Sequence, residues 1–221
     1  MRNMWAVFAL AMALHLPHQA QAQFRDDFNG SSLNQSVWIV AAGSGQVVVA
    51  DGEVTLSSGG SVFPVVTSIE DVFPPGDFVV RVGMRYLSQA VCGTGFGAMD
   101  NFWENYRGDP VCRPFLIWQD GGGVHVYSGS ASNTVLGPAP DTAPHVFEWA
   151  YMDGRYDFVM DGVARSSGMC GVRPTRIFFG HPHPINCTPW TSFAIDFIEI
   201  LPTGATRTSI ASWARLKALY R

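Results

Sequence analysis

Hydrophobic and polar residues alternate with a period of two along much of the chain. In the stretch Asp77–Tyr86, apolar side chains occupy every second position from Phe78 onward, and Arg81 and Arg85 stand at positions between them. Because successive residues of a strand point to opposite faces of a sheet, this pattern predicts a strand with one buried face. The same count predicts core positions at Phe147, Trp149 and Tyr151, with Glu148 facing outward.

The last predicted strand interrupts its own alternation. Within Phe193–Phe197 every second residue, ending with Phe197, is expected to face the core, and Asp196 is expected to face outward. Ile198 and Ile200 are out of phase with this set. The strand is therefore expected either to bury both faces or to carry a β-bulge.

Asp-Gly pairs stand between several of the apolar runs. A type I′ turn needs positive φ at both central residues, so Asp-Gly between two such runs predicts a β-hairpin. Strand and turn units at this spacing favour an antiparallel sandwich or barrel over βαβ units. The pairs begin at Asp51, Asp120, Asp153 and Asp161.

An ordered series of short motifs resembles the concanavalin A-like lectin/glucanase superfamily. The series contains Asp26–Gly30, Leu33, Trp38, Asp51-Gly52 with Leu56, Gly76–Phe78, Gly95–Gly97, Tyr156–Gly162 and Trp190–Ile200. The resemblance covers about Phe24 to Leu201. It implies an all-β, jelly-roll sandwich of two curved antiparallel sheets, in which the first and last strands are neighbours and the concave face binds carbohydrate.

Composition agrees with such a turn-rich fold. The chain has 23 glycines and 14 prolines, and 14% of its residues are charged, against about 25% in an average domain. The formal net charge of −4 gives no basic surface for nucleic acid or anionic lipid.

The two ends of the chain differ from its middle. Arg2, the apolar run Met4–Leu16 and Ala20-Gln21-Ala22 predict a secretory signal over 1–22, too short to span a bilayer. Residues 23–203 are then the sandwich domain of an extracellular or periplasmic protein without a membrane span. In the tail, 204–221, the segment 208–221 is predicted to form an amphipathic helix, which either docks on the sandwich or makes a partner or sorting contact. Its apolar residues at helical spacing are Ile210, Trp213, Leu216 and Tyr220.

Four cysteines occur in the exported part, where disulfides persist. Four cysteines allow three connectivities, and the sequential one is preferred because each bridge closes a short excursion between strands. The predicted pairs are Cys92 with Cys112 and Cys170 with Cys187.

Catalytic signals are weak. The glucanase branch of the superfamily carries a Glu-x-Asp-x-x-Glu strand motif, and the sequence contains no such motif. Glycoside hydrolysis needs two carboxyl groups about 5 to 9.5 Å apart. Asp100 and Glu104 are the best candidates, and only a helical turn would bring them together.

Sugar binding needs flat apolar surfaces beside amides and carboxylates. Trp103, Tyr106, Trp118 and Trp190 are candidates for the surfaces, and Asn101 and Glu104 are candidates for the polar contacts. A tryptophan in a β-sandwich is more often part of the core, and Trp103 and Trp190, which stand beside Gly, Pro or polar residues, are the ones that favour a ligand role.

The stretch His181-Pro-His183 stands in a predicted loop, together with Cys187. The two histidines could contact a ligand at the rim of the sandwich, or the loop could be purely structural. A zinc site needs three or four ligands and these histidines supply only two. The sequence therefore does not decide whether the loop binds a metal ion. No cofactor is predicted; the resemblance allows a structural calcium ion.

Three functions are compatible with these observations. The first is a secreted lectin-like domain that binds an oligo- or polysaccharide on its concave face without catalytic machinery. The second is an envelope or protein-interaction domain without sugar specificity. The third is a glycoside hydrolase or polysaccharide lyase of the glucanase type.

Overall fold

The computed structural model describes residues 24–59, 62–88, 94–99, 113–120, 123–137, 142–180 and 191–203, which form strands and no helix. Within these residues, accordingly, nothing helical has the length and apolarity to cross a membrane. The strands lie in one compact unit, Ala22–Thr203, and confirm the predicted all-β class. They are β1 (Phe24–Asp26), β2 (Trp38–Ala42), β3 (Gln46–Ala50), β4 (Glu53–Ser58), β5 (Val65–Ser68), β6 (Phe78–Tyr86), β7 (Thr94–Met99), β8 (Arg113–Asp120), β9 (Gly123–Gly129), β10 (Ala131–Leu136), β11 (His145–Met152), β12 (Arg155–Met160), β13 (Val163–Met169), β14 (Arg176–Gly180) and β15 (Thr191–Pro202).

The strands form two antiparallel sheets. One sheet has eight strands, in the order β13-β12-β11-β6-β15-β4-β3, and β1 pairs with the second half of β15. The other has seven strands, in the order β10-β9-β8-β7-β14-β5-β2. Large apolar side chains of both sheets share one core, as in a jelly-roll sandwich.

The core faces follow the alternation. The five β6 residues predicted to face the core are buried in it, as are Phe147 and Trp149 of β11; the five are Phe78, Val80, Val82, Met84 and Tyr86. The indole Nε1 of Trp149 donates a hydrogen bond to the backbone oxygen of Tyr127, at 3.2 Å, and so ties the eight-stranded sheet to β9 of the other sheet. The predicted pairing of first and last strands is also confirmed, because Phe24 lies opposite Ile200.

The last strand carries a β-bulge at Asp196. The pairing of β15 with β6 shifts between Ile195 and Phe197, and beyond this point Ile198 and Ile200 belong to the core. The prediction that Phe197 faces inward is wrong. One extra residue reverses the phase of the alternation, which turns the Phe197 ring toward Gly83 on the other face of the sheet.

The Asp-Gly turns have the predicted backbone geometry. The φ angles are 53° and 72° at Asp51 and Gly52, 47° and 78° at Asp153 and Gly154, and 51° and 80° at Asp161 and Gly162. All are positive, as type I′ hairpin turns require. The fourth predicted turn begins at Asp120, and its glycine lies outside the described residues.

Several predictions fall wholly or partly on residues that are not described. They concern the signal segment 1–22, the tail 204–221 and both disulfides, since Cys92, Cys112 and Cys187 lie outside the described ranges. Cys170 is described and lies buried in the core. These assignments stay predictions.

Candidate functional site

The seven-stranded sheet has one face in the core and one face turned away from it. Core residues of this sheet include Phe96, Ile117, Val126 and Phe179. Residues at the alternate positions occupy the opposite face, which we call the outer face.

Two cross-strand rows of residues define the outer face. The register aligns Phe178 with Thr67 on one side and with Gly97 on the other, and it aligns Gly180 with Gly95. Both rows continue through β8, β9 and β10. The first row is Thr67, Phe178, Gly97, Leu116, Tyr127 and Ser132, and the second is Val65, Gly180, Gly95, Trp118, His125 and Thr134.

The two ends of these rows differ in exposure. On β5 and β14, Val65, Thr67 and Phe178 are buried, with at most 5% of their surface exposed, although they do not face the core. On β9 and β10, His125 is half-buried and Thr134 is exposed. A ligand therefore has access to the outer face at β9 and β10, and we call this part the open half.

The open half combines aromatic and polar groups. Nδ1 of His125 lies 3.0 Å from Oγ1 of Thr134, within hydrogen-bonding distance. Tyr127 stands two residues farther along β9, on the same face, and pairs with Ser132. An aromatic ring can pack against the apolar face of a sugar, and a hydroxyl and an imidazole can hydrogen-bond its hydroxyl groups.

Sequence reasoning missed His125, Tyr127, Ser132 and Thr134. The alternation in the sequence could have shown their face: His125 and Tyr127 alternate with Val124 and Val126 of the core, so both lie on the opposite face of the sheet. The sequence could not show that β10 lies beside them with Thr134 opposite His125.

Of the predicted ligand residues, Trp118 is the one within the described strands. It stands between Gly95 and His125 in the second row, next to the open half. Asp100, Asn101, Trp103, Glu104 and Tyr106 lie outside the described residues, as do His181, His183 and Trp190.

Two of the undescribed segments leave the sheet at opposite ends. The segment 100–112 leaves after Met99, which pairs with Arg176, whereas 181–190 leaves after Gly180, which pairs with Gly95. Gly180 lies four positions after Arg176 on β14, so the exits are roughly 13 Å apart.

Carboxylates are scarce on this sheet. Its seven strands contain one acidic residue, Asp120, at the end of β8. A pair of carboxyl groups for hydrolysis must therefore include at least one acid from a connecting segment, and Asp100 and Glu104 stand in the segment that joins β7 to β8.

The buried carboxylates of the described strands lie on the other sheet. Glu148 and Glu199 both contact Arg81, at 3.4 and 2.9 Å, and Glu199 also accepts a hydrogen bond from Arg25 at 2.8 Å. Both glutamates thus have arginine partners on neighbouring strands of this sheet. We assign this cluster a structural role.

No group of three or more histidine, cysteine or acidic side chains able to hold a metal ion occurs among the described residues. A metal site at His181 and His183 stays a hypothesis, because these residues lie outside the described ranges.

Comparison with known proteins shows the fold. No family model and no curated protein match the sequence. Among solved structures, the chain is similar to a prokaryotic β-1,3-1,4-glucanase (lichenase) from a mouse hindgut metagenome, with 13% identity, 81% of this chain and 98% of that chain covered, and a TM-score of 0.61. The Bacillus licheniformis β-glucanase has 14% identity, 80% and 97% coverage, and a TM-score of 0.60.

A third similar structure comes from work on endo-acting O-glycanases of the human gut microbiota that initiate mucin breakdown. It has 16% identity, 82% and 99% coverage, and a TM-score of 0.63. The chain thus has the concanavalin A-like jelly-roll fold that its motifs resemble. At these identities the likeness concerns the fold alone.

Proposed function

We propose that this chain binds a glycan on the outer face of the seven-stranded sheet, at the open half formed by β9 and β10. The observation that carries the proposal is the grouping of His125, Thr134 and Tyr127 on an accessible face of a glucanase-like sandwich. Imidazole and hydroxyl groups hydrogen-bond sugar hydroxyls, and the tyrosine ring packs against the apolar face of a sugar.

Hydrolysis of the bound glycan is the first candidate activity. The structures of similar fold include two glucanases and a protein from work on O-glycanases. Since the strands of the sheet supply a single acid, we assign the general acid and its partner carboxylate to Asp100 and Glu104. Their carboxyl groups would need to lie about 5 to 9.5 Å apart, with the pKa of one of them raised.

Binding without hydrolysis is the second candidate. It is favoured by the scarcity of carboxylates in the seven strands and by the missing Glu-x-Asp-x-x-Glu motif. In this case the chain is a lectin-like module, and Asp100 and Glu104 contact sugar hydroxyls or stabilise their own loop.

Binding is tested first, by calorimetry with a β-1,3-glucan, a β-1,3-1,4-glucan and mucin O-glycans. We expect His125→Ala to weaken binding about tenfold, the equivalent of one lost hydrogen bond of roughly 1.4 kcal/mol. His145→Ala is the matched control, since His145 lies on β11 of the other sheet and contacts Asp161. If none of the glycans binds, or if both variants weaken binding equally, the proposed site is wrong.

Hydrolysis is tested by release of reducing ends from whichever glycan binds. If Asp100 and Glu104 are the catalytic acids, Asp100→Asn and Glu104→Gln should each lower the rate at least about 100-fold while binding persists. Binding without any release by the unmodified chain selects the lectin-like function. Release that survives both substitutions rejects these two residues as the acids.

A further inference from the structure

The sandwich closes one of its two lateral edges with its own strands. At the edge formed by β10 and β13, the amide of Ser130 donates to the oxygen of Met169 at 3.0 Å, and Nδ2 of Asn133 donates to the oxygen of Arg165 at 3.3 Å. The backbones approach so closely that a Cβ at Gly168 would collide with the oxygen of Ser128. The two sheets therefore meet at this edge.

The opposite edge has no such closure among the described residues. Here β2 and β3 are the terminal strands of their sheets, and a groove of about 670 Å³ lies beside them. Ile39, Val40 and Val48 line it and are 51%, 48% and 49% exposed. None of the described residues that line this β2–β3 groove is ionisable.

The strand β3 has the properties of an unprotected sheet edge. Its residues, Gln46–Ala50, pair with β4 in regular register without a bulge, and none of them is charged. Natural proteins usually protect such edges with lysine, proline or a bulge, because a flat apolar edge pairs with further strands. The edge strand β2 differs, since its register shifts between Val40 and Ala42.

We propose that β3 pairs with β3 of a second copy of this chain, antiparallel and across a twofold axis. The partner would cover Val48 and the apolar wall of the β2–β3 groove. A second copy fits because the contact is self-complementary: each copy brings the same patch, whose described residues are uncharged, so the described parts of the two patches meet without like charges. The pairing closes at two copies, since each chain has one β3.

Sedimentation velocity on the purified chain over a range of concentrations tests this proposal. We expect a monomer–dimer equilibrium, and we expect Val48→Lys to raise the dimer dissociation constant at least about tenfold, because two lysines would face each other across the axis. Val163→Lys is the matched control: Val163 is equally exposed, at 52%, and lies on β13 at the closed edge.

The outcomes are distinct. A monomer at every concentration overturns the proposal, as does a dimer that survives Val48→Lys or is lost in Val163→Lys. Assemblies larger than two overturn the twofold pairing of β3. Hydrogen exchange provides a measurement without substitutions, because the amides of β3 should gain protection as the concentration rises, whereas those of β13 should not.

Discussion

At the scale of single residues, Gly83 makes room for a ring on the neighbouring strand. A Cβ built at this position would lie 2.5 Å from Cε1 and 2.7 Å from Cδ1 of Phe197. The ring is held from another direction as well, because the guanidinium of Arg25 stands 5.5 Å from its centroid. The missing side chain at position 83 is thus part of how the last strand packs.

We expect Gly83→Ala to destabilise the protein by about 1 to 3 kcal/mol, because the ring must leave its position or the strands must separate. The measurement is the free energy of unfolding in urea. Gly171→Ala is the control, since a Cβ there meets nothing within 4 Å, and its effect should stay within about 0.5 kcal/mol.

A double-mutant cycle tests the cause. In a Phe197→Ala background the ring is absent, so the cost of Gly83→Ala should fall below about 0.5 kcal/mol. An unchanged cost would mean that Phe197 is not the obstacle.

At the scale of strands, a row of alternating charges crosses the outward face of the eight-stranded sheet. The row runs from Arg25 on β1 through Glu199 on β15 and Arg81 on β6 to Glu148 on β11, and each neighbouring pair is also a cross-strand pair in the register. Arg81, Glu148 and Glu199 are all less than 10% exposed. At Arg25, burial opposes the charge, but the hydrogen bonds with Asp27 and Glu199 outweigh it and raise the pKa.

Arg81→Met should destabilise the fold by about 3 to 5 kcal/mol, because it removes a cation that both buried glutamates contact. The control is Arg155→Met, which breaks the pair with Asp157 at 2.8 Å, where both side chains are about half exposed. A surface pair of this kind contributes at most about 1 kcal/mol. Equal losses for the two variants in urea unfolding would show that the row contributes no more than surface charges do.

Strands, hairpins and core faces could be predicted from the sequence because they depend on residues close together in the chain. The positive φ angles at Asp51 and Gly52 and the core face of β6 are examples. The phase break at Ile198 indicated two buried faces or a bulge in β15, and the choice between them was beyond such reasoning, since it needs the pairing of β15 with β6. The open half of the site was partly predictable: Val124–Tyr127 shows the face of His125, but the neighbouring Thr134 requires the sheet order.

At the scale of the whole molecule, two buried tyrosines should make the free energy of unfolding depend on pH above about pH 10. Burial raises the pKa of Tyr86 and of Tyr156 far above the ordinary value of about 10, and at Tyr156 the neighbouring Tyr151 adds to the effect. The hydroxyl of Tyr156 also donates to the backbone oxygen of Val172 at 2.9 Å. Both residues belong to the core, so they become able to ionise only when the protein unfolds.

The sign of the pH dependence follows from proton counts. Below about pH 10 the folded and unfolded chains hold both protons, and these tyrosines add no slope. Above about pH 10 the unfolded chain releases two protons that the folded chain retains, so the free energy of unfolding should fall by up to about 2.7 kcal/mol per pH unit. Urea unfolding between about pH 8 and pH 12 measures this slope. The variant with Phe at both positions loses the bond to Val172 at every pH. Its slope above about pH 10 should nevertheless be flatter by nearly the same amount. An equally steep slope would mean that other groups cause the fall in the free energy of unfolding at alkaline pH.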